Sequence, residues 1–164
     1  MRQENLPRLN SIKVKQKNNH YIHLYFLMRD IKDALDNYCK GDFLDLSCGN
    51  KPYEEWYKPL STSTIGCDIT QSDKNGVEVI CPADNLAFED NRFDTILCTQ
   101  VLEHVYNQRG VISESYRTLK KGGHLILTVP FCWELHEEPY DFFRVTKHGL
   151  KQMFEDAGFE ITYI

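Results

Sequence analysis

Amphipathic segments and short apolar runs alternate along this chain. Between residues 22 and 39 apolar side chains recur near the helical period, and Lys40-Gly41 follows as a stop signal, so the pattern predicts a helix there. Short apolar runs bounded by turn residues predict buried strands instead. The pattern predicts helices at 22–39, 52–57, 107–119 and 146–157, and strands at 43–46, 64–67, 77–80, 93–98, 124–129 and 159–164.

The order of these elements indicates the fold class. Strands that alternate with helices form βαβ units, whose parallel sheet is covered by helices on both faces. We therefore expect an α/β protein with a doubly wound, mostly parallel sheet in three layers, helix on sheet on helix. The 164 residues are the length of a single domain.

Charge is distributed unevenly along the chain. Residues 1–20 carry five basic side chains and one acidic side chain, whereas residues 21–164 carry 14 basic and 23 acidic ones. We predict a basic N-terminal arm over 1–20 and one domain over 21–164. The acidic domain argues against binding to a nucleic-acid backbone, which needs clustered Lys and Arg. The arm is either a solvated tail or a contact for an anionic surface.

The compartment is predicted from hydrophobic runs and cysteines. No stretch approaches the roughly 20 apolar residues of a membrane span, so none is expected. No secretory signal is visible at the N-terminus, and the six cysteines form no C-x-x-C motif. We therefore expect reduced thiols in a cytoplasmic protein.

The loops that follow the predicted strands carry the candidate chemistry. In doubly wound sheets, ligands bind beyond the carboxyl ends of the strands. After the first strand, Ser47 and Gly49 are small enough to let a ligand approach the backbone, but the G-x-G-x-x-G dinucleotide pattern is missing. Asp68 follows the second strand, where a carboxylate can accept both hydroxyls of a ribose. Asp84 follows the third strand and can accept a hydrogen bond from an exocyclic amine.

An ordered set of motifs over about residues 41–164 carries a family resemblance. The set resembles a class I S-adenosylmethionine-dependent methyltransferase of the type 11 small-molecule group, with a Rossmann-like fold. Its members are Asp45-Leu46-Ser47-Cys48-Gly49, Asp68, Asp84-Asn85-Leu86, Phe93-Asp94-Thr95-Ile96, Val101-Leu102-Glu103-His104-Val105 and Leu119-Lys120-Lys121-Gly122-Gly123.

The resemblance implies S-adenosylmethionine as cofactor and assigns residues to it. Gly49 and its neighbours would line the methionine part, Asp68 would hold the ribose, and Asp84 would hold the adenine amine. The residues assigned to the cofactor are Asp45, Ser47, Cys48, Gly49, Asp68, Ile69, Asp84, Asn85, Leu86, Thr99, Gln100 and Val101.

The sequence departs from the family pattern in two places. Ser47 stands where the family loop usually has glycine, and if this position needs a positive φ, serine costs about 1 kcal/mol. The family sheet ends in an antiparallel hairpin, which this sequence lacks. We therefore expect the 159–164 strand to pair with a second copy or a partner, to close onto the fifth strand, or to belong to a longer natural chain.

A long segment at 131–145, rich in aromatic and charged residues, follows the fifth strand. Such a loop is typical of a lid or a substrate wall. His136 and Arg144 within it, and His104 after the fourth strand, are the candidate catalytic residues. Packing or capping is the alternative for His104, and a contact with Asp141 that fixes the lid is the alternative for Arg144.

The leading hypothesis is an enzyme that transfers the methyl group of S-adenosylmethionine to a small molecule. This chemistry needs positioning and exclusion of water more than strong acid–base groups. The alternative is a cofactor-binding pseudo-methyltransferase subunit completed by a partner, which Ser47 favours. No metal is expected, because His136, Glu137 and Glu138 have no second ligand cluster at a suitable spacing.

Overall fold

One parallel five-stranded sheet forms the centre of the protein in the computed structural model, which describes Ile12 and residues 20–164. The strand order is β3-β2-β1-β4-β5, so the direction of winding reverses between β1 and β4. Ligands bind at such a switch point in open α/β sheets. The strands are β1 (Asp42–Leu46), β2 (Ser63–Asp68), β3 (Val79–Ile80), β4 (Phe93–Thr99) and β5 (Leu119–Thr128).

Four helices in the described part of the chain lie close to the predicted positions, and the second and third of them connect strands. Short 3₁₀ turns at Lys58–Leu60 and Leu102–His104 extend the connections after α2 and β4. The predicted basic arm lies outside the described residues, apart from Ile12 and His20. The helices are α1 (Tyr21–Tyr38), α2 (Glu54–Tyr57), α3 (Gln108–Thr118) and α4 (Lys147–Asp156).

Alternating side chains of the central strands supply two separate cores. In β1, Phe43 packs on one face of the sheet with residues of α1 and α2, and its neighbour Leu44 packs on the other face. Leu35 of α1 belongs to the first core, and Phe154 of α4 belongs to the second. The three-layer α/β architecture predicted from the sequence is therefore confirmed.

The turn predicted before the fifth strand lies inside β5 as an irregular insertion. Leu119 pairs with Phe93 of β4, and His124 pairs with Thr95, so four residues of β5 face a single residue of β4. Lys120 in this insertion donates to the carboxylates of Asp42 and Asp94 at 2.9 and 2.7 Å. These ion pairs connect the beginnings of β1, β4 and β5, at the amino ends of the strands and therefore opposite the predicted site.

The strand predicted at 159–164 is wrong, because this segment forms no strand. Gly158, with φ +97°, ends α4, and the backbone N–H of Phe159 donates to the Phe154 carbonyl oxygen at 3.0 Å. This bond turns the chain back, so that the Phe159 ring packs edge-on against Phe154 and Tyr116. Of the alternating residues that suggested a strand, Phe159 and Ile161 pack against the core, whereas Tyr163 is exposed. Among the described residues, β5 rather than a sixth strand forms that edge of the sheet.

In the part of the chain that the structure describes, no helix combines the length and the apolar character required to cross a bilayer.

We expect Gly158→Ala to lower the free energy of unfolding by about 2 kcal/mol. A Cβ at this position would lie 3.0 Å from the Tyr116 ring, and the positive φ adds strain of about 1 kcal/mol. Gly122→Ala is the matched control, because Gly122 also has a positive φ but nothing lies within 4 Å of its added Cβ. Denaturant unfolding should show a loss near 1 kcal/mol for the control. Equal losses in the two variants would contradict the packing role of Gly158.

Candidate active site

A cavity of about 810 Å³ lies at the carboxyl ends of β1, β2 and β4. Its volume is in the range of sites for small ligands and cofactors. Ten of the twelve residues predicted for the cofactor line it. They are Asp45, Ser47, Cys48, Gly49, Asp68, Ile69, Asp84, Thr99, Gln100 and Val101.

Two predicted binding residues and one predicted catalytic residue lie away from this cavity. Asn85 is exposed, and the neighbouring Leu86 is buried in the core on the α3 side of the sheet. Arg144 points into its own loop, where it donates to the Asp141 carboxylate. The other two predicted catalytic residues, His104 and His136, line the cavity.

The loop after β1 has left-handed backbone at three alternate residues. Ser47, Gly49 and Lys51 have φ values of +58°, +50° and +52°. Ser47 therefore occupies a conformation that favours glycine, as its place in the motif suggested. The loop is held by backbone bonds, since the N–H of Cys48 donates to the Cys67 carbonyl oxygen at 3.0 Å.

Asp68 ties the end of β2 to this loop. One carboxylate oxygen accepts the Gly49 N–H at 3.0 Å, and the other accepts the Ile69 N–H at 2.7 Å. Only 5% of Asp68 is exposed, and it lies on the cavity wall. A buried carboxylate oriented by two backbone N–H groups is a fixed acceptor for ligand hydroxyls.

An ion pair that the sequence did not reveal supports the loop from below. The Lys51 side chain, 8% exposed, pairs with Glu78, whose other oxygen accepts the Gly66 N–H at 2.6 Å. A Cβ on Gly66 would lie 2.5 Å from Lys51 Cε and 2.7 Å from Cys48 Sγ. Glycine at position 66 therefore makes room for the lysine under the loop.

Asp45 is almost fully buried at the end of β1. The Tyr57 hydroxyl donates to its carboxylate at 3.0 Å. Burial nevertheless dominates and raises the pKa of Asp45 to about 7, because the charged form loses its hydration. The carboxyl group is therefore partly protonated near neutral pH.

Asp84 is held by a residue to which the sequence analysis gave no role. Asn107 caps the start of α3, since its side-chain oxygen accepts the Gly110 N–H, and its side-chain nitrogen donates to Asp84 at 3.2 Å. A Cβ on Gly110 would overlap this Asn107 side chain. The one available signal was an Asn three residues before a glycine at a predicted helix start.

The segment 131–145 covers the cavity as an irregular loop. Asp141 organises it by accepting two bonds from Arg144, at 2.5 and 2.8 Å, and one from the His136 N–H at 3.0 Å. These partners hold the pKa of Asp141 well below its usual range. The Trp133 ring meets the rings of His20 and His23 at 4.7 and 4.6 Å, so the loop also contacts the beginning of α1.

Glu103 is a buried carboxyl group that the sequence analysis did not single out. Its residue is 1% exposed in the turn after β4, and burial raises its pKa to about 7. Neither carboxylate oxygen has a hydrogen-bond partner among the described residues. Its ligand atom and those of His104 and His136 lie within 4.8 Å of one another.

The profile of a protein family described as "Methyltransferase domain" matches residues 18–164. The chain belongs to the class I S-adenosylmethionine-dependent methyltransferases. The match includes every strand and helix of the fold and the whole wall of the cavity, and it confirms the resemblance to the class I S-adenosylmethionine-dependent methyltransferases.

Individual proteins similar to this methyltransferase domain cover most of it. An uncharacterized protein of Methanocaldococcus jannaschii, MJ1123, is 30% identical over 73% of this chain and 58% of its own length. A probable S-adenosylmethionine-dependent methyltransferase of Mycolicibacterium smegmatis is 25% identical over 80% of this chain and 57% of its own. The domain thus spans a little over half the length of the curated relatives it matches.

A solved structure supports the fold. The crystal structure of a putative methyltransferase from Bacillus halodurans C-125 aligns with a TM-score of 0.68 at 24% identity, over 80% of this chain and 69% of that one. At this identity the likeness shows the Rossmann-like methyltransferase fold alone.

S-adenosylmethionine is the cofactor of this methyltransferase family, and the cavity has groups that fit it. Asp68 supplies a fixed acceptor for hydroxyls, Asp84 an acceptor for an amine, and Gly49 leaves the loop backbone open to a ligand. Val101, buried beside the turn after β4, offers an apolar surface for a ring. The donors and acceptors present therefore match the polar groups of the cofactor.

We expect Asp45→Asn to stabilise the methyltransferase domain more at pH 8 than at pH 5. The folded pKa of about 7 lies above the ordinary value of 3.8, so protonated Asp45 stabilises the fold at low pH, and this contribution is lost as the pH rises towards 7. Asparagine mimics the protonated form at both pH values. Urea unfolding should show a gain larger by about 2 kcal/mol at pH 8 than at pH 5.

The contrast variant for this measurement is Asp42→Asn. Hydrogen bonds from Ser63 and Lys120 lower the pKa of Asp42 to about 2, so its charge favours the fold at both pH values. Its substitution should destabilise the domain at pH 5 and at pH 8 alike. A gain from Asp45→Asn that is independent of pH would mean that Asp45 is charged throughout this range.

We expect Ser47→Gly to raise the free energy of unfolding by about 1 kcal/mol. Glycine adopts the left-handed backbone of this position without the steric strain that the Cβ atom of serine causes. Ser47→Ala keeps the strain and serves as the matched control. Thermal unfolding in which the alanine variant gains as much as the glycine variant would assign the effect to the hydroxyl group rather than to the backbone.

Proposed function

We propose that this domain binds S-adenosylmethionine in the cavity and transfers its methyl group to a small-molecule acceptor. The observation that carries the proposal is the coincidence of Gly49, Asp68 and Asp84 on one cavity wall at the switch point of the sheet. The loop 131–145 covers the same cavity, and this enclosure favours a small acceptor over a polymer.

In this proposal each wall of the cavity contacts one part of the cofactor. The Asp68 carboxylate accepts the ribose hydroxyls, and Asp84, oriented by Asn107, accepts the adenine amine. The strained loop around Gly49 lies against the methionine part. Thr99, Gln100 and Val101 lie under the adenosine. The backbone of Gln100 is fixed because its N–H donates to the Thr128 carbonyl oxygen at 2.9 Å.

When bound, S-adenosylmethionine supplies a methyl group on a sulfonium sulfur, which passes to a nucleophile while the carbon–sulfur electron pair returns to sulfur. The chain contributes orientation of the acceptor and exclusion of water. Trp133 and Tyr140 line the cavity from the covering loop and exclude water there. Arg144 is a positioning residue, because it acts through Asp141 and does not line the cavity.

His104 and His136 are the proposed residues at the reacting end. Both imidazoles line the cavity, His104 from the turn after β4 and His136 from the covering loop. An acceptor that is protonated at working pH has to lose its proton when the methyl group arrives. Either the two imidazoles accept this proton themselves, or they bind another species that removes it.

The unpaired thiols of all six cysteines accord with the proposed cytoplasmic location.

A second candidate function is a cofactor-binding subunit that a partner chain completes. Its support is the outer edge of β5, which has no neighbouring strand among the described residues. A second copy of the chain is the simplest such partner. Size-exclusion chromatography with light scattering distinguishes a monomer from this assembly, and methyl transfer by the isolated monomer would refute the second candidate.

We expect Asp68→Ala to weaken binding of S-adenosylhomocysteine by roughly 1.5–3 kcal/mol, the range of a hydrogen bond to a charged group. Titration calorimetry measures the loss. Asp73→Ala is the control, because Asp73 is exposed in the loop after β2 and does not line the cavity. The melting temperature of each variant shows whether the fold is intact. Unchanged affinity in a folded Asp68→Ala variant would refute the proposed cofactor site.

A further inference from the structure

Three potential metal ligands lie together where the turn after β4 meets the covering loop, although His136 is far from the other two in the sequence. Glu103 and His104 follow β4, and His136 lies in the loop after β5. Their ligand atoms all lie within 4.8 Å of one another, and Glu103 Oε1 is 3.8 Å from His104 Nε2. The two imidazole rings are 4.7 Å apart and nearly perpendicular.

The Glu103 carboxylate is the observation that needs an explanation. Both oxygens are buried without a hydrogen-bond partner among the described residues, and a buried carboxylate in this state is costly. The nearby Arg144 guanidinium does not donate to it: its Nη atoms donate to Asp141 and to the carbonyl oxygens of Glu134 and Phe143, and its buried Nε has no hydrogen-bond partner among the described residues. Something that the protein itself does not supply is therefore suited to this carboxylate.

Both imidazoles are oriented as ligands. His104 Nδ1 lies 2.9 Å from the Tyr140 carbonyl oxygen, and His136 Nδ1 lies 3.2 Å from the Glu134 carbonyl oxygen. A carbonyl oxygen can only accept, so each Nδ1 is the donor, and His136 Nδ1 also lies 3.3 Å from the Asp141 carboxylate. In the neutral ring this arrangement leaves the lone pair on Nε2. This outer bond from a ring N–H to a carbonyl is the usual way in which metal-binding histidines are held.

We infer that Glu103, His104 and His136 form a binding site for a divalent transition-metal ion of the Zn²⁺ class. One carboxylate and two imidazole nitrogens are a known ligand set for zinc sites that keep one coordination position open. Mg²⁺ and Ca²⁺ prefer oxygen ligands, so imidazole ligands disfavour their binding. Bonds of about 2.0–2.2 Å in tetrahedral geometry separate ligand atoms by roughly 3.3–3.6 Å, so binding draws the outermost pair together by roughly 1 Å.

The place of this site suggests what the ion does. His104 and His136 line the cavity, so an open coordination position on the ion faces the space for the acceptor. A dication there binds an acceptor oxygen and lowers the pKa of a bound hydroxyl. This use rests on the proposed methyl transfer and favours a hydroxyl-bearing acceptor, whereas the metal site itself does not depend on that function.

Zinc binding tests the inference directly. The full chain, free of any affinity tag and stripped with EDTA, is titrated with Zn²⁺ against a chromophoric chelator. We expect one ion per chain, with affinity reduced at least tenfold in His136→Ala and in Glu103→Gln. His148→Ala is the matched control, since His148 is exposed on α4 and should bind as the wild type does.

Two further measurements separate the site from other causes. Cys132, the exposed thiol of the same loop, competes for zinc, so Cys132→Ser must retain the binding; its loss there would assign the ion to the thiol and overturn the inference. Co²⁺ in place of Zn²⁺ should give a visible absorption that His136→Ala loses while its melting temperature stays near that of the wild type. A wild-type chain without stoichiometric binding, or a His136→Ala variant with full affinity, also overturns it.

Calorimetry with S-adenosylhomocysteine in excess EDTA tests the proposed function separately. Cofactor binding without zinc binding would overturn the metal site alone. Zinc binding without cofactor binding would refute the proposed function and leave the metal site standing.

Discussion

The hydrogen bond from the Gly49 N–H to the Asp68 carboxylate joins the two loops on which the candidate site is built. Left-handed backbone at two non-glycine residues, Ser47 and Lys51, makes the loop after β1 strained on its own, and a bond from the end of β2 offsets that strain. The same carboxylate lies on the cavity wall, so the group that holds the loop is also the group that faces a ligand. Binding affinity and loop stability are therefore coupled at Asp68.

Parallel pairing made the location of this site predictable. β1 pairs with both β2 and β4, so the ends of all three strands meet at one edge of the sheet. A polar residue at the end of an apolar strand, such as Asp68 of β2, could be assigned to the cavity from the sequence because a strand end fixes its position. Asn85 and Leu86 were misplaced because they lie further along an irregular loop, where one residue faces solvent and the next enters the core.

Features that depend on contacts distant in sequence were beyond prediction. Nothing local distinguishes Lys51 as buried, because its partner Glu78 comes from the loop before β3 and the space beside it comes from Gly66 of β2. Glu103 and His136 are brought together only by the path of the loop after β5. The strand prediction at 159–164 was wrong for a related reason. A two-residue alternation predicts a buried face but not whether that face packs on a sheet or on a pair of helices.

The contact of Trp133 with His20 and His23 joins the covering loop to the beginning of α1 beside the cavity. A ligand that enters between the covering loop and α1 has to separate these rings, and each such contact contributes about 0.5–1.5 kcal/mol. Together they favour the closed arrangement of loop and helix by about 1–3 kcal/mol, which corresponds to an open population of roughly one molecule in six to one in 150. Arrival of ligand by this path would then be slowed by the same factor, and anything that displaces the first turn of α1 would change the rate of exchange without touching the binding surface.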